Sequence, residues 1–319
     1  TSGTTGNPKG VLYSHRSNVL HAFMASLPDA KGIHSTDVVL PVVPLFHANC
    51  WSLAFSTPMT GASMVMPGAK LDGPSIYELM DTYKVTFTAG VPTVWLMLLQ
   101  HMQQNNLTLP HLKRIVIGGS ASPRAMTKEF EEKYGVEVIH AWGTLCTMKP
   151  EYQTLTGDAK LDIQMKQGHP PFGVEMKITD DNGKRLPWDG KTFGRLKVRG
   201  PAVARRYFKD DTNILDDEGF FDTGDVATMD PHGYMQITDR AKDVIKSGGE
   251  WISSIDLENL AVGHPKVAEA AVIGISHPKW DERPLLIIVP KKDQNPTKDE
   301  ILGFMRDKIA KWWLPDDVA

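Results

Sequence analysis

The sequence predicts an α/β protein: a large domain of layered α/β sheet with an antiparallel β subdomain, followed by a small α+β C-terminal domain. Three observations lead there. Between Ser14 and Lys149 short apolar runs alternate with helical runs, the pattern of a largely parallel sheet crossed by helices. From about residue 168 the runs shorten and turn residues separate them, with Asn182-Gly183 between two strand-like stretches, a strong hairpin signal. After residue 239 charged residues and glycines cluster, and a helix, two apolar runs and an amphipathic helix follow. The expected divisions are residues 1–167, 168–239 and 240–319.

In the first division SNVLHAFMASL has helical spacing, and DVVLPVVPLFH, GASMVMPG, VTFTAGVP and RIVIGGSA read as buried strands ended by Gly, Pro or polar residues. SIYELMDTY and PTVWLMLLQHMQQ are the helices between them. Ligands of such sheets lie outside the carboxyl ends of the strands, which is where GGSA (118–121) and the loop after PLFH fall. In the second division FGVEMKITDDNGKRLPW, GRLKVRG, GFFDTGDVATM and GYMQITD supply short strands. In the third, DLENLAVGHP reads as a helix with proline beyond its end, VAEAAVIGISH and PLLIIVPKK as strands, and KDEILGFMRDKIAKWW as an amphipathic helix.

Bulk properties narrow the function. A net charge of -3 gives no basic field, so nucleic acid is not an expected partner. Cys50 and Cys146 are far apart, which argues against a disulfide framework or thiolate metal site and fits a reducing, cytoplasmic setting. Apolar stretches are short and broken by proline, well below the roughly 20 residues of a spanning helix.

The chain opens on TSGTTGNPKG. Thr1, Ser2, Thr4 and Thr5 offer hydroxyls, Gly3, Gly6 and Gly10 allow close backbone approach, and Lys9 adds a point charge. Successive backbone amides with these groups make a nest for phosphate oxygens. The common P-loop, G-x-x-x-x-G-K-[ST], does not fit, because Lys9 is followed by Gly10 rather than a hydroxyl. A nucleotide site of another class is expected.

TSGTTGNPKG resembles the signature loop of the adenylate-forming enzymes: acyl- and aryl-CoA ligases, peptide-synthetase adenylation domains and beetle luciferases. FFDTGDVA resembles the family's [FY]-x-T-G-D element, DRAKDVIKSGGEWIS its hinge and GGE loop, and HAWG the start of its adenine-pocket motif. These occur in the family's order along the whole chain. GGEWIS and PLFHANCW are most similar to the fatty-acyl branch, and within it the likeness extends to the 3-methylmercaptopropionate-CoA ligases of marine bacteria. The resemblance implies a ligase that activates a short- or medium-chain carboxylic acid with Mg-ATP to acyl-AMP and pyrophosphate, then transfers the acyl group to coenzyme A. Its partners would be the acid, ATP and CoA. Relatives in that branch are often dimers, so a homodimer stays open.

By resemblance, Thr1, Ser2, Gly3, Thr4, Thr5, Gly6 and Lys9 hold the β- and γ-phosphates, with the Thr1 hydroxyl near Mg²⁺. Gly118, Gly119 and Ser120 form one adenine wall, or simply a tight turn after a strand; Trp142 and Gly143 form the other, or Trp142 is core. Asp225 is suited to accept ribose hydroxyls, since a carboxylate is acceptor-only; the alternative is a turn Asp. Arg240 contacts ribose or phosphate. Lys242 is at the hinge position, where a charge can swap partners between two conformers, and is otherwise a solvated linker lysine. Lys246, Gly248, Gly249, Glu250 and Trp251 lie on the loop that faces thioester formation. Glu250 reads as a structural tie, and Trp251 equally as small-domain core. His47 and Trp51, with Asn49 a weaker candidate, belong to the acyl pocket, although a lone His beside an apolar run is often core.

Departures from the pattern carry their own expectation. After Trp142-Gly143 the family reads x-Thr-Glu, the glutamate completing Mg²⁺ coordination, but here Thr144-Leu145-Cys146-Thr147 follows, with no acid before Glu151. The half-domain before the phosphate loop and the lysine-bearing element near the family's C-terminus are missing. The chain is therefore expected to be part of a longer one, and these residues alone are expected to be inactive. The competing readings are a non-catalytic nucleotide- or acyl-binding module and a luciferase-like oxygenase acting on an adenylate.

Overall fold

A computed structural model describes residues 9–143, 154–241, 243–248 and 250–319. The first helix, α1 (His15–Ser26), starts where the Ser14 hydroxyl accepts the Ser17 amide at 3.0 Å. The chain then builds β1 (Val38–Val42), α2 (Ala48–Trp51), α3 (Leu53–Thr60), β2 (Ser63–Met64), α4 (Gly73–Thr82), β3 (Phe87–Gly90), α5 (Pro92–Asn105), β4 (Arg114–Ile117), α6 (Arg124–Tyr134), β5 (Glu137–His140) and α7 (Gly157–Gln164). The strands form a parallel sheet in the order β2-β1-β3-β4-β5, as the alternating pattern predicts.

Both faces of this sheet are covered, because consecutive strand residues point to opposite sides. Leu40, Ile115, Ile117 and Val138 pack with Ile76 and Met80 of α4, Trp95, Leu98 and Met102 of α5 and Phe130 of α6. Their neighbours Val39, Phe87, Ala89, Val116 and Ile139 pack instead with Ile33, Cys50, Trp51 and Leu53. Each fully buried apolar side chain stabilises by about 1.5–3 kcal/mol. At the amino ends of the strands, Asp37 accepts from the Thr86 hydroxyl at 2.7 Å and the His34 amide at 2.8 Å, and pairs with Arg114 at 2.6 Å. Burial raises the Asp37 carboxyl, but these bonds outweigh it and hold the group below the usual carboxylate range.

The strand expectations were too long at two places. DVVLPVVPLFH is strand only over Val38–Val42 and GASMVMPG only over Ser63–Met64; Pro44 and Pro67 have no amide with which to continue a ladder. α6 and α7 were not anticipated. The four-stranded sheet runs β6 (Glu175–Thr179), β7 (Gly194–Arg199), β8 (Phe221–Met229) and β9 (Met235–Arg240) in chain order. Asn182-Gly183 does turn the chain, with Gly183 at φ +84 and the Leu186 amide bonding the Ile178 carbonyl at 2.9 Å. Pro187 ends that return, and the pairing strand begins only at Gly194.

Close packing groups residues 1–177, 197–223 and 229–236 into one unit and 178–196, 224–228 and 237–319 into another. The second holds β10 (Ile245–Ser247), β11 (Glu250–Ile252), α8 (Ser254–Val262), β12 (Val267–His277), β13 (Asp281–Pro290), α9 (Lys298–Arg306), a 3₁₀ turn (Lys311–Trp313) and β14 (Asp317–Val318). Its sheet order is β11-β10-β13-β12, with β14 on β13, over a core of Ile245, Ile252, Leu257, Val272, Leu286 and Ile301. The helix expected across 298–313 stops at Arg306. Arg283 takes the Trp312 carbonyl at 2.6 Å and the Leu314 carbonyl at 2.9 Å, holding that segment in a separate turn. Among the described residues no helix is long and apolar enough to cross a membrane.

At the start of α8 the Ser253 hydroxyl caps Asp256, whose carboxyl burial pushes up to about 6, with the nearby Asp239 adding to the rise against the Ser253 bond. A raised carboxyl favours the folded state below its unfolded value and loses that contribution as pH rises through about 6. Asp256→Asn should therefore flatten the fall in thermal midpoint between pH 4 and 7. An unchanged pH dependence of melting would show that Asp256 is not the group responsible.

Candidate active site

Parallel pairing stops four strands in one row. Val42 pairs Gly90, Gly90 pairs Ile117, and Ile117 pairs His140. The residues that follow each strand are thereby delivered to one edge: Val91, Gly118-Gly119-Ser120, and Ala141-Trp142-Gly143. The Gly118 amide bonds the Gly90 carbonyl at 3.3 Å, and the Ala141 amide the Ile117 carbonyl at 2.7 Å. Gly118 is buried, while Gly119 and Ser120 are exposed. A Cβ on Gly118 would lie 2.9 Å from the Ala141 oxygen and 3.1 Å from Trp51 Cη2. Gly119 has φ +82, a conformation that costs glycine little and other residues more. The two glycines thus give a backbone shelf without side chains, closed over at Gly118 by Trp51 and Ala141 and exposed at Gly119. Trp142 is half-buried beside it.

Trp51 reaches this shelf from an unusual stretch. Ala48, Asn49, Cys50, Trp51 and Ser52 all have positive φ, from 45 to 70, so α2 is a left-handed turn. Each such residue costs roughly 1–2 kcal/mol, and the turn persists only where its surroundings hold it. The Cys50 thiol donates to the Val43 carbonyl at 3.0 Å, the Ser56 hydroxyl to the Ser52 carbonyl at 3.0 Å, and the Lys31 ammonium to the Trp51 carbonyl. Trp51 is 8% exposed and belongs to the sheet's core, with only its ring edge at Gly118. His47, which precedes the turn, is exposed, and Asn49 is half-buried.

In the other unit Asp225 is 3% exposed on β8, and Arg240 Nη1 lies 2.8 Å from its Oδ1. Gly224, before it, has φ +75, and its carbonyl accepts the Ala241 amide at 2.9 Å. These two expected ribose residues are brought together as an ion pair whose Arg is largely exposed. Below them the base of the GGE loop is tied shut: the Ser253 hydroxyl bonds the Thr238 carbonyl, and the Ser254 amide bonds Asp239 at 2.9 Å. The loop itself is a hairpin of β10 and β11 in which Lys246 pairs across from Trp251. Lys246 is exposed, its amide bonding Glu282 at 2.9 Å, and Gly248 turns at φ +60 under Trp280. Trp251 packs beside Phe193, Thr238, Val244 and Ser253.

Of the loop expected to bind phosphate, Lys9 and Gly10 are described: the Lys9 ammonium stands 4.8 Å from the Tyr207 ring centre, and the Gly10 carbonyl accepts the Phe208 amide at 2.8 Å. Thr1, Ser2, Gly3, Thr4, Thr5, Gly6, Lys242, Gly249 and the 144–147 departure lie outside the described residues, as does the Glu250 side chain. Among the described residues no three acidic, His or Cys groups are gathered as for a metal ion. Lys31 carried no sequence signal; between Ala30 and Gly32 it reads as a surface lysine.

Residues 1–208 match the AMP-binding enzyme family, and residues 256–319 match the AMP-binding enzyme C-terminal domain. The chain belongs to the AMP-binding enzyme family. It is 52% identical to a 3-methylmercaptopropionyl-CoA ligase of Ruegeria lacuscaerulensis, the match covering 100% of this chain and 61% of that protein. It is 49% identical to a medium-chain-fatty-acid–CoA ligase of Ectopseudomonas oleovorans over 99% of this chain and 59% of the relative. The chain thus spans about three fifths of the length of these relatives. Among solved structures, ATP-bound MatB of Rhodopseudomonas palustris superposes with a TM-score of 0.83 at 27% identity, covering 100% of this chain and 62% of MatB. The resemblance carried by the motifs, and the mixed parallel and antiparallel fold, are borne out.

Because this family member leaves no room on Gly118, Gly118→Ala should destabilise the protein by about 1–3 kcal/mol. Urea unfolding measures it; an unmoved midpoint would mean that Trp51 and Ala141 do not crowd that position.

Proposed function

We propose that the protein containing this chain is an AMP-forming acyl-CoA ligase acting on a short- or medium-chain carboxylic acid, with 3-methylmercaptopropionate a favoured substrate. The observation that carries this reading is the side-chain-free shelf at Gly118–Gly119 on the carboxyl edge of the sheet. The names of the relatives supply the acid and the thiol. The divisions 1–167, 168–239 and 240–319 are proposed as its sheet subdomain, β subdomain and mobile C-terminal domain.

The chemistry is a double substitution. A carboxylate oxygen attacks the α-phosphorus of ATP; the acyl–phosphate bond forms, the α–β bridge breaks, and pyrophosphate leaves. The thiol sulfur of coenzyme A then attacks the acyl carbon, gives up its proton, and displaces AMP. Both steps need positioning and charge stabilisation rather than a protein nucleophile. The Thr1 hydroxyl would join the oxygen shell of a Mg²⁺ brought in on the nucleotide, which would supply positive charge beside the phosphates.

The chain's own residues then divide the work. Thr1 to Gly6 and Lys9 would hold the β- and γ-phosphates, and Gly118, Gly119, Ser120, Trp142 and Gly143 would hold the base. The buried Asp225 would accept the ribose hydroxyls, with Arg240 free to turn from it to phosphate because the pair is open on the Arg side. Lys242 would act as the hinge, and Lys246, Glu250 and Trp251 would face the thiol-transfer step. His47 and Trp51 would bound the acid.

In an assay of acid-dependent pyrophosphate release by the full-length protein, Asp225→Ala should raise the ATP requirement at least tenfold, one charge-assisted bond being worth about 1.5–3 kcal/mol. A wild-type ATP requirement in that variant would remove Asp225 from the ribose site. His47→Ala should raise the KM for the acid and leave that for ATP in place. A defect confined to ATP would take His47 out of the acid pocket.

A further inference from the structure

The reaction proposed above takes two nucleotides, and the residues named so far give a place to one. Coenzyme A carries its thiol on a long pantetheine arm. At the far end of that arm stand an adenine, a diphosphate and a 3′-phosphate. A surface that holds this end needs a flat aromatic face and exposed cations.

The second unit has such a surface at the tight turn between β12 and β13. His277 pairs across from Asp281, and the His277 imidazole accepts the Lys279 and Trp280 amides, each at 3.2 Å. The Trp280 carbonyl takes the Gly248 amide at 2.8 Å and the Glu282 amide at 2.9 Å. The Trp280 backbone is thus bonded at its amide and its carbonyl, yet its indole is 43% exposed. Gly248, on the GGE hairpin, lies against this ring: a Cβ there would stand 2.9 Å from Trp280 Cε3. The Lys279 ammonium is 4.6 Å from the ring centre and, among the described residues, makes no ion pair.

A second tryptophan, Trp312, is exposed to the same 43%. Arg283 joins the two places. Its guanidinium bonds the Ser247 hydroxyl at 3.3 Å, next to Gly248, and the Trp312 carbonyl at 2.6 Å. Asp316 takes up the Arg283 charge at 2.8 Å, whereas Lys246, Lys279 and Lys311 are exposed. Of the acids beside them, Asp281 is exposed and Glu282 accepts the Lys246 amide at 2.9 Å. Two rigidly carried indoles with lysines around them, on the unit whose hairpin is assigned to thiol transfer, fit the nucleotide end of the thiol substrate.

We propose that Trp280 is the stacking platform for the adenine of coenzyme A, with Lys279 pairing the 3′-phosphate and Trp312 bordering the same surface. This rests on the ligase reading and gives it a preference for coenzyme A over a bare pantetheine thiol. Binding exchanges a cation over the indole for a base, and the released ammonium gains a phosphate.

The test uses the full-length protein charged with its acyl-adenylate and three thiols: coenzyme A, dephospho-coenzyme A and pantetheine. Trp280→Ala should raise the KM for coenzyme A about tenfold, the size of one lost base stack, and leave the KM for pantetheine at its wild-type value. Lys279→Ala should raise the KM for coenzyme A to that for dephospho-coenzyme A, whose own KM should not move. The KM for ATP in adenylate formation, which needs no thiol, should stay in place in both. Equal increases for coenzyme A and pantetheine would make Trp280 a support of the hairpin and overturn the proposal. A wild-type KM for coenzyme A in either variant would overturn it too. Should Trp280→Ala fail to fold, Trp280→Leu keeps an apolar cover on Gly248 without a flat ring, and the same outcomes are read from it. Wild-type protein that forms the adenylate but uses pantetheine as well as coenzyme A would overturn this proposal alone. Wild-type protein that forms no adenylate with any acid would refute the ligase reading and the proposal with it.

Discussion

Four parallel strands ending in one row are the constraint on which the rest of the first unit depends. Once Val42, Gly90, Ile117 and His140 stand in register, the chain segments after them must crowd one edge of the sheet. Crowding is tolerated there because Gly118 and Gly119 bring no side chains: Trp51 and the Ala141 carbonyl close over Gly118, and Gly119 is left exposed. The opposite edge is built the other way. Asp37, Thr86 and Arg114 fill it with hydrogen bonds and charge, so the strands are stapled at their amino ends and open at their carboxyl ends.

The left-handed turn is the price of bringing Trp51 to that edge. Its strain is met by side-chain bonds from Cys50 within it, Ser56 on the helix that follows and Lys31 from before β1. In the second unit the division is similar: Asp239 and Ser253 tie the base of the GGE hairpin, leaving its tip, with Lys246 and Gly248, outward. In both units a rigid foundation holds a short segment on which the proposed chemistry falls.

Much of this was legible in the sequence, for physical reasons. Buried parallel strands have no polar face, so runs such as RIVI and FTAG announce themselves, and glycines directly after them mark the shelf. Asp225 and Arg240 were singled out apart in the sequence and meet at 2.8 Å. What could not be read depends on tertiary contact. Of the residues in the turn at 48–52 only Asn49 has a left-handed tendency. Lys31 resembles a surface lysine until its burial is known. The C-terminal amphipathic run is shortened by Arg283, which acts from a strand remote in sequence. Trp51 was expected in the acyl pocket, and the fold buries it in the core of the sheet with its ring edge against Gly118.

The most direct measurement is mass spectrometry of the small molecules formed when the full-length protein is incubated with 3-methylmercaptopropionate and Mg-ATP, before and after coenzyme A is added. An acyl-adenylate that forms without coenzyme A and is replaced by acyl-CoA and AMP on its addition is the predicted result. Nucleotide recovered as unreacted ATP, with no adenylate of this or any other short- or medium-chain acid, would contradict the ligase assignment and leave a binding module of the same fold.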